Sequence, residues 1–270
     1  MPVTSEEARQ GAVIRATGRW LGKAVFIGLF LVFWAAVAAG MQSVFVPGPV
    51  EVGESLLRVA LNGDTMGISL VQHSWASLRR VLLGFAIAAA AGIPFGLLLG
   101  LNKTLYEASS VITEPLRFIP PLAWAPLAII LMRGTQRYLF IIALGSFFPI
   151  LLASMTSVAR VNPLHLQVAK VFGFGRMKRI FKIVIPSGLP EIVTGLRISL
   201  GISWGIIVAA EMVGGGVDGL GRMMLTHAEL LQTDVVVVGM ILVGVLGFFM
   251  NRALLATEGW LFRWRQEIRL

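Results

Sequence analysis

Long apolar runs alternate along this chain with short polar, basic or glycine- and proline-rich segments. Where the apolar positions have a period it is that of helices. Six runs, 24–41, 77–101, 112–132, 138–158, 190–212 and 235–256, are long enough to cross a bilayer, since about 20 apolar residues make a helical span. The expected fold class is an all-α membrane protein with six transmembrane helices. Its expected organisation is a cytoplasmic segment, 1–23, followed by one transmembrane domain, 24–270. Arg9, Arg15, Arg19 and Lys23 precede the first run, and Ala36-Val37-Ala38 resembles a signal-peptidase site. The run is long for a signal sequence, so it is expected to stay as an uncleaved first span.

The runs differ in their punctuation. Pro47-Gly48-Pro49 predicts a turn, and Val52, Leu56, Val59 and Ala60 predict a short amphipathic helix lying on the outer leaflet. The second run carries Gly84, Ala88, Gly92, Gly96 and Gly100 every fourth residue, a stripe along which another helix of the same chain can approach closely. The third holds Pro115, Pro120, Pro121 and Pro126. It is expected to be kinked or partly unwound and to border a pathway, because irregular backbone at membrane depth survives only against protein or water. The fifth has two small stripes, Gly195-Ser199-Ser203 and Gly201-Gly205-Ala209, which predict a helix central to the bundle. Arg197 and Glu211 bracket it, roughly 21 Å apart at helical rise. Gly214 to Gly216 should end that helix, and Thr233 should cap the last one with Asp234 in its first turn.

Composition agrees with the pattern. Hydrophobic residues make up 56%, charged residues 14%, and the mean hydropathy is +0.82, whereas soluble domains carry about 25% charged residues. The absence of cysteine excludes disulfides, thiol chemistry and cysteine metal sites. A net charge of +9 would suit a nucleic-acid binder, but the charges sit at span edges. With both termini in the cytoplasm, inside segments hold 15 of the 23 Lys and Arg and outside edges six, the asymmetry that topology rules require. No nucleic-acid partner is expected; membrane lipid is.

The segment 160–186 is the one long stretch that is both basic and rich in helix signals. Asn162 and Pro163 read as N-cap and first helical residue. Leu164, Val168 and Val171 share a face, and Gly173 and Gly175 stop the helix. A second short helix places Met177, Ile180, Phe181 and Val184 on one side, and Pro186 and Pro190 are expected to break the backbone before the next span. Within it Gln167, Val168, Ala169, then Gly173, then Ile183, Ile185 and Pro186 resemble the pattern E-A-A, three residues, G, nine residues, I-x-L-P of ABC-importer permeases. Gln167 stands where that pattern has Glu. Pro120-Pro121-Leu122-Ala123-Trp124, Leu189 to Arg197, Ala209-Ala210-Glu211 and Leu231 to Val238 resemble the taurine, aliphatic sulfonate and nitrate branch.

The resemblance implies a type I ABC-importer permease fold whose 160–186 element is a cytoplasmic coupling helix. Gln167, Ala169, Lys170, Gly173, Arg176, Lys178, Arg179 and Pro186 would then meet the ATPase. It implies a second permease copy, two cytoplasmic ATPase subunits and an extracytoplasmic substrate-binding protein, working by alternating access on a small anion in the cell inner membrane. No G-x-x-x-x-G-K-[ST] occurs, so ATP and magnesium are expected on the partner ATPase, with no cofactor and no catalysis in this chain. His73, His165 and His227 are scattered, and no metal site is expected. Ser199, Ser203, Trp204 and Glu211, with Trp124 and Phe147 from neighbouring spans, are candidates for the substrate path. Ser199 and Ser203 read equally well as packing residues. Arg197 could neutralise an anion or pair with Glu191 or a helix end, and Glu211 fits a gate held through backbone amides. Three alternatives remain: a secondary transporter driven by an ion gradient, a permease of the same family for a non-anionic substrate such as a pyrimidine precursor, or a non-transport membrane scaffold or receptor.

Overall fold

A computed structural model describes residues 5–41, 43 and 45–261, with side chains from 21 to 259 apart from 42 and 44. The helices, in chain order, are α1 (Ser5–Met41), α2 (Pro49–Asn62), α3 (Leu70–Leu101), α4 (Lys103–Arg117), α5 (Ala125–Leu131), α6 (Gln136–Ala159), α7 (Pro163–Val171), α8 (Arg176–Arg179), α9 (Ile185–Val213), α10 (Leu220–Glu229) and α11 (Thr233–Leu261). A short 3₁₀ turn, Pro121–Trp124, precedes α5. Five helices are long and apolar enough to cross a membrane, and α4 with the following 3₁₀–α5 piece makes a sixth, bent by 84°.

The small-residue stripe on α3 packs against α6 inside the chain. A side chain on Gly84 would strike Ile142, on Gly92 Ile150, and on Gly96 the backbone of Leu151. Helix α6 also packs along α9, and α3 touches α9 in turn, so these three form the centre of the bundle. Around them Val81, Ile141, Ile142, Ile207 and Ala210 are fully enclosed. Helices α2, α10 and α11 close over one end. Helix α1 leans on α2 and buries none of its apolar window. Its Trp34 indole donates to Pro47 O at 3.1 Å.

Four expectations need correction. The third span is not 112–132: helix begins at Lys103, where Asn102 caps α4 by accepting from Leu105 N–H, and it breaks at residues 118–120. The prolines force that break by withholding amide donors. Next, no break occurs at Pro186 or Pro190, and α8 continues into α9 as one helix, Arg176–Val213. A π turn at Ile180–Val184 sends Ile185 N–H to Ile180 O and leaves Pro186 at the start of a new α register, where its missing N–H costs little. The wider turn also rotates the expected face apart, so Val184 is buried while Met177 and Phe181 are exposed. Third, the inner stripe of α2, Val52, Ser55 and Val59, is buried by protein contact, chiefly with α11, and does not face lipid. Finally, α11 starts one residue early: Gln232 O accepts the first amide bond, and Thr233 is already helical.

Candidate functional site

The long helix Arg176–Val213 joins two specialised ends. At its N-terminal end, Asn162 Oδ1 accepts Leu164 N–H at 2.9 Å and starts α7. Gly173, at φ +73°, ends it. Gly173 N–H reaches Lys170 O and Phe174 N–H reaches Ala169 O, the paired closure that needs a left-handed residue. Lys178 lies 4.2 Å from the Phe174 ring. Arg160 bonds Glu191 at 2.7 Å, tying the end of α6 to α9. Ala169 is buried, whereas Leu164, Val168, Val171 (86% exposed), Phe172, Met177 and Phe181 are open. Gln167, Lys170, Arg176 and Lys178 are also exposed. This knuckle is thus apolar at its crown, cationic at its edge, and rigidly fixed to two spans.

The candidate path residues on α9 lie elsewhere than on an open surface. Ser199 donates to Ser146 O at 3.0 Å, Ser203 donates to Ser199 O at 2.7 Å and also meets the Ser146 hydroxyl. All three are buried between α6 and α9. The Trp204 indole donates to Val243 O of α11 at 2.9 Å. Trp124 stands edge-on to Phe140, and Phe147 sits between Phe95 and Phe148, so neither joins the serines. The other stripe is the open one: a side chain on Gly201 or Gly205 would meet nothing within 4 Å, and Ile198 and Ile202 are exposed beside them. Next to Ile202 a cleft of about 410 Å³ is lined by Arg117, Phe118, Phe148 and Pro149 at the break of the bent span. Arg197 pairs with Glu258 of α11 at 3.3 Å, and Glu191 is taken by Arg160.

At the C-terminal end of the long helix the loop 214–221 is held in a buried polar cage. Arg80 of α3 bonds Glu211 at 2.7 Å, Asp218 Oδ1 at 2.5 Å and Asp218 O at 2.9 Å. It also stacks 4.5 Å from the Tyr138 ring. Ser77 donates to both Glu211 oxygens, at 2.9 and 2.8 Å. The loop amides are captured one by one: Gly216 by Tyr138 OH, Gly219 by His73 Nδ1, Leu220 by Ser77 Oγ and Gly221 by Glu211 Oε2. Gly219 has φ +115°, and a side chain there would fall on the Glu211 carboxylate. Behind His73, Asp64 bonds its Nε2 at 3.1 Å and accepts the amides of Met66 and Ile68. Burial raises the Asp64 carboxyl, but those two amides and the imidazole outweigh it and hold the group below its ordinary value of 3.8.

Glu211 and the glycines are prominent in the sequence; His73, Ser77, Arg80, Asp64 and Asp218 are not. Counting Arg80 as a span-edge charge hides its partner. The signal available is the spacing of His73, Ser77 and Arg80 at i, i+4 and i+7, one stripe among the polar residues that open α3. Among the described residues no group of side chains is arranged to hold a metal.

Residues 92–259 match the family described as binding-protein-dependent transport system inner membrane component. The chain is similar to the taurine transport system permease protein TauC of Escherichia coli, 34% identical over 89% of this chain and 88% of that protein. It is 34% identical to the nitrate import permease protein NrtB of Synechocystis, over 85% and 84% of the two chains. It is 33% identical to the bicarbonate transport system permease protein CmpB of Synechococcus elongatus, over 87% and 86%. In fold it resembles a chain of the inward-facing MetNI methionine ABC transporter, with TM-score 0.54, 21% identity, and coverage of 68% of this chain and 95% of that one.

Proposed function

Since the chain belongs to the binding-protein-dependent transport system inner membrane components, and so is a non-catalytic, multi-pass inner-membrane permease subunit of an ABC importer served by an ATPase and a binding protein, we propose how it does that work. The knuckle of α7 and α8 is the coupling element. It faces the cytoplasm with both termini, and the 214–221 loop lies on the outer side. Two copies form the path, each docked on one of two ATPase subunits that hold the ATP and magnesium.

One observation carries this reading: a single unbroken helix, Arg176–Val213, joins the exposed knuckle to the caged loop. At 38 residues it is roughly 57 Å long. A displacement at the knuckle therefore reaches the loop as motion of a rod. Arg160–Glu191 stops the knuckle from hinging on its own, and the π turn keeps Pro186 and Pro190 from breaking the rod. Val171, Phe172, Met177 and Phe181 supply apolar surface that a groove on the ATPase would cover, with Lys170, Arg176 and Lys178 at its rim. Gln167 stands on this surface as a neutral hydrogen-bonding group.

The substrate is a small molecule bearing an oxyanion group, as are the taurine, nitrate and bicarbonate for which the similar permeases are named. Its path follows the open Gly201–Gly205 stripe of α9 and the cleft beside Arg117. The buried serines, Trp204 and Arg197 hold that helix in place against α6 and α11, and Glu211 acts on the gate through the loop amides. Binding assays on the partner binding protein, across sulfonates, nitrate, bicarbonate and pyrimidine-like compounds, test the substrate class; preference for an uncharged compound would contradict it. Val171→Asp and Phe172→Asp, at exposed side chains of the knuckle, test the docking. Complexes carrying either should assemble but lose stimulation of ATP hydrolysis and uptake together, and normal transport by both would overturn the assignment.

A further inference from the structure

The cage contains one pair that neither the packing of the spans nor the Glu211–Arg80 bond explains. We infer that His73 and Asp64 are a positioning pair that fixes the 214–221 loop through a single tautomer of the imidazole, and that a second proton on His73 frees it. Gly219 N–H donates to His73 Nδ1 at 3.1 Å, so that nitrogen must carry a lone pair. The ring proton is therefore on Nε2, aimed at Asp64 Oδ2 3.1 Å away. Asp64 cannot swing aside, because the amides of Met66 and Ile68 hold its other oxygen at 2.9 and 2.8 Å. Both side chains are closed to solvent, at 0% and 1% exposure.

A second proton can enter only at Nδ1, where it faces the Gly219 N–H as donor against donor. The charges around the pair do not forbid it. Asp64 comes from the α2–α3 connection, Glu211 from α9, Asp218 from the loop and Arg80 from α3, leaving the carboxylates in excess. What protonation breaks is the first of three consecutive amide anchors, ahead of Leu220 on Ser77 and Gly221 on Glu211. That the freed loop alters transport rests on the gating role proposed above.

Hydrogen exchange of the loop peptide, read by mass spectrometry on the complete transporter in nanodiscs at pH 7.5 and 5.5 and corrected for intrinsic rates, separates the two ideas. In the unsubstituted protein the loop amides should lose about tenfold protection at pH 5.5, the scale of one buried hydrogen bond. His73→Asn keeps an acceptor at the Nδ1 position and cannot titrate, so its protection should be equal at both values. His73→Leu should be unprotected at both. Equal protection of the unsubstituted loop at the two pH values, or the same acid loss in His73→Asn, would overturn the pair. If the loop is released at pH 5.5 as expected while uptake by the same preparation is unchanged, the pair stands and the loop's gating role falls.

Discussion

The two ends of the Arg176–Val213 helix are opposites. At the loop end four amides are captured by the chain's own side chains, and the Arg80–Glu211 bond is shut away from water. At the knuckle end Val171, Phe172, Met177 and Phe181 stand uncovered, and Gln167 and Lys170 face outward. One end is complete as folded; the other carries a surface that a second protein would complete. Changes at the loop end should therefore cost stability before they cost activity, and changes at the knuckle should do the reverse.

The largest effect belongs to the cage. Glu211→Ala takes from Arg80 its fully buried carboxylate and leaves it only the half-buried Asp218, and losing one partner of a buried ion pair typically costs about 3–5 kcal/mol. The variant should unfold at clearly lower temperature in detergent, or fail to accumulate, and an unchanged melting temperature would dissolve the contrast. At the knuckle, Val171→Asp, at a side chain 86% exposed, should leave the melting temperature alone. Uptake should fall about tenfold or more, because an unpaired carboxylate in a covered interface costs at least about 1.4 kcal/mol. Gly173→Ala, which forces a side chain into the left-handed region, should cost about 1–2 kcal/mol locally and reduce coupling more mildly.

The fold was legible to different depths at different residues. Gly84 to Gly100 announced a close contact with another helix of the chain, though not that α6 would make it, because small residues every fourth position have few other uses in a membrane helix. Asn162, Pro163 and Gly173 announced α7 and its ends, since caps are written in single residues. Pro186 and Pro190 misled, because a proline's effect depends on the helical register it meets, and the π turn that absorbs it has no local signature. Of the two small stripes on α9 the pattern could not say which would be packed; Ser199 and Ser203 proved buried and Gly201 and Gly205 open. Of the cage only Glu211 and the glycines showed; His73, Ser77, Arg80 and Asp218 escaped because their partners lie far away in sequence, and Asp64 escaped with them.

Two smaller tests refine the contrast. Ser203→Val, which removes a hydroxyl inside the α6–α9 contact, should cost about 0.6 kcal/mol, the average for such bonds between membrane helices. Gly205→Val should leave the melting temperature unchanged and alter uptake, since its position opens onto free space. The smallest effect is that of acid on Asp64. Its carboxyl is held below the ordinary 3.8 in the folded chain, so its contribution to stability is complete above that value and is lost as pH falls through the folded one. Asp64→Asn should remove that part of the acid dependence, and identical acid melting curves for the two proteins would contradict it.

The rod itself is the central claim, and the absence of native cysteine makes it directly measurable. Spin labels on Met177→Cys and Val213→Cys, both exposed and both on the helix, in a permease copy assembled with an unlabelled one and the ATPase, report the distance along the helix. That distance should stay within about one helical pitch, 5.4 Å, between nucleotide-free and ATP-bound complexes, while Met177→Cys labels on the two copies move relative to each other. A larger change along the helix, with the two knuckles stationary, would show that the helix bends and that no rigid connection joins the knuckle to the loop.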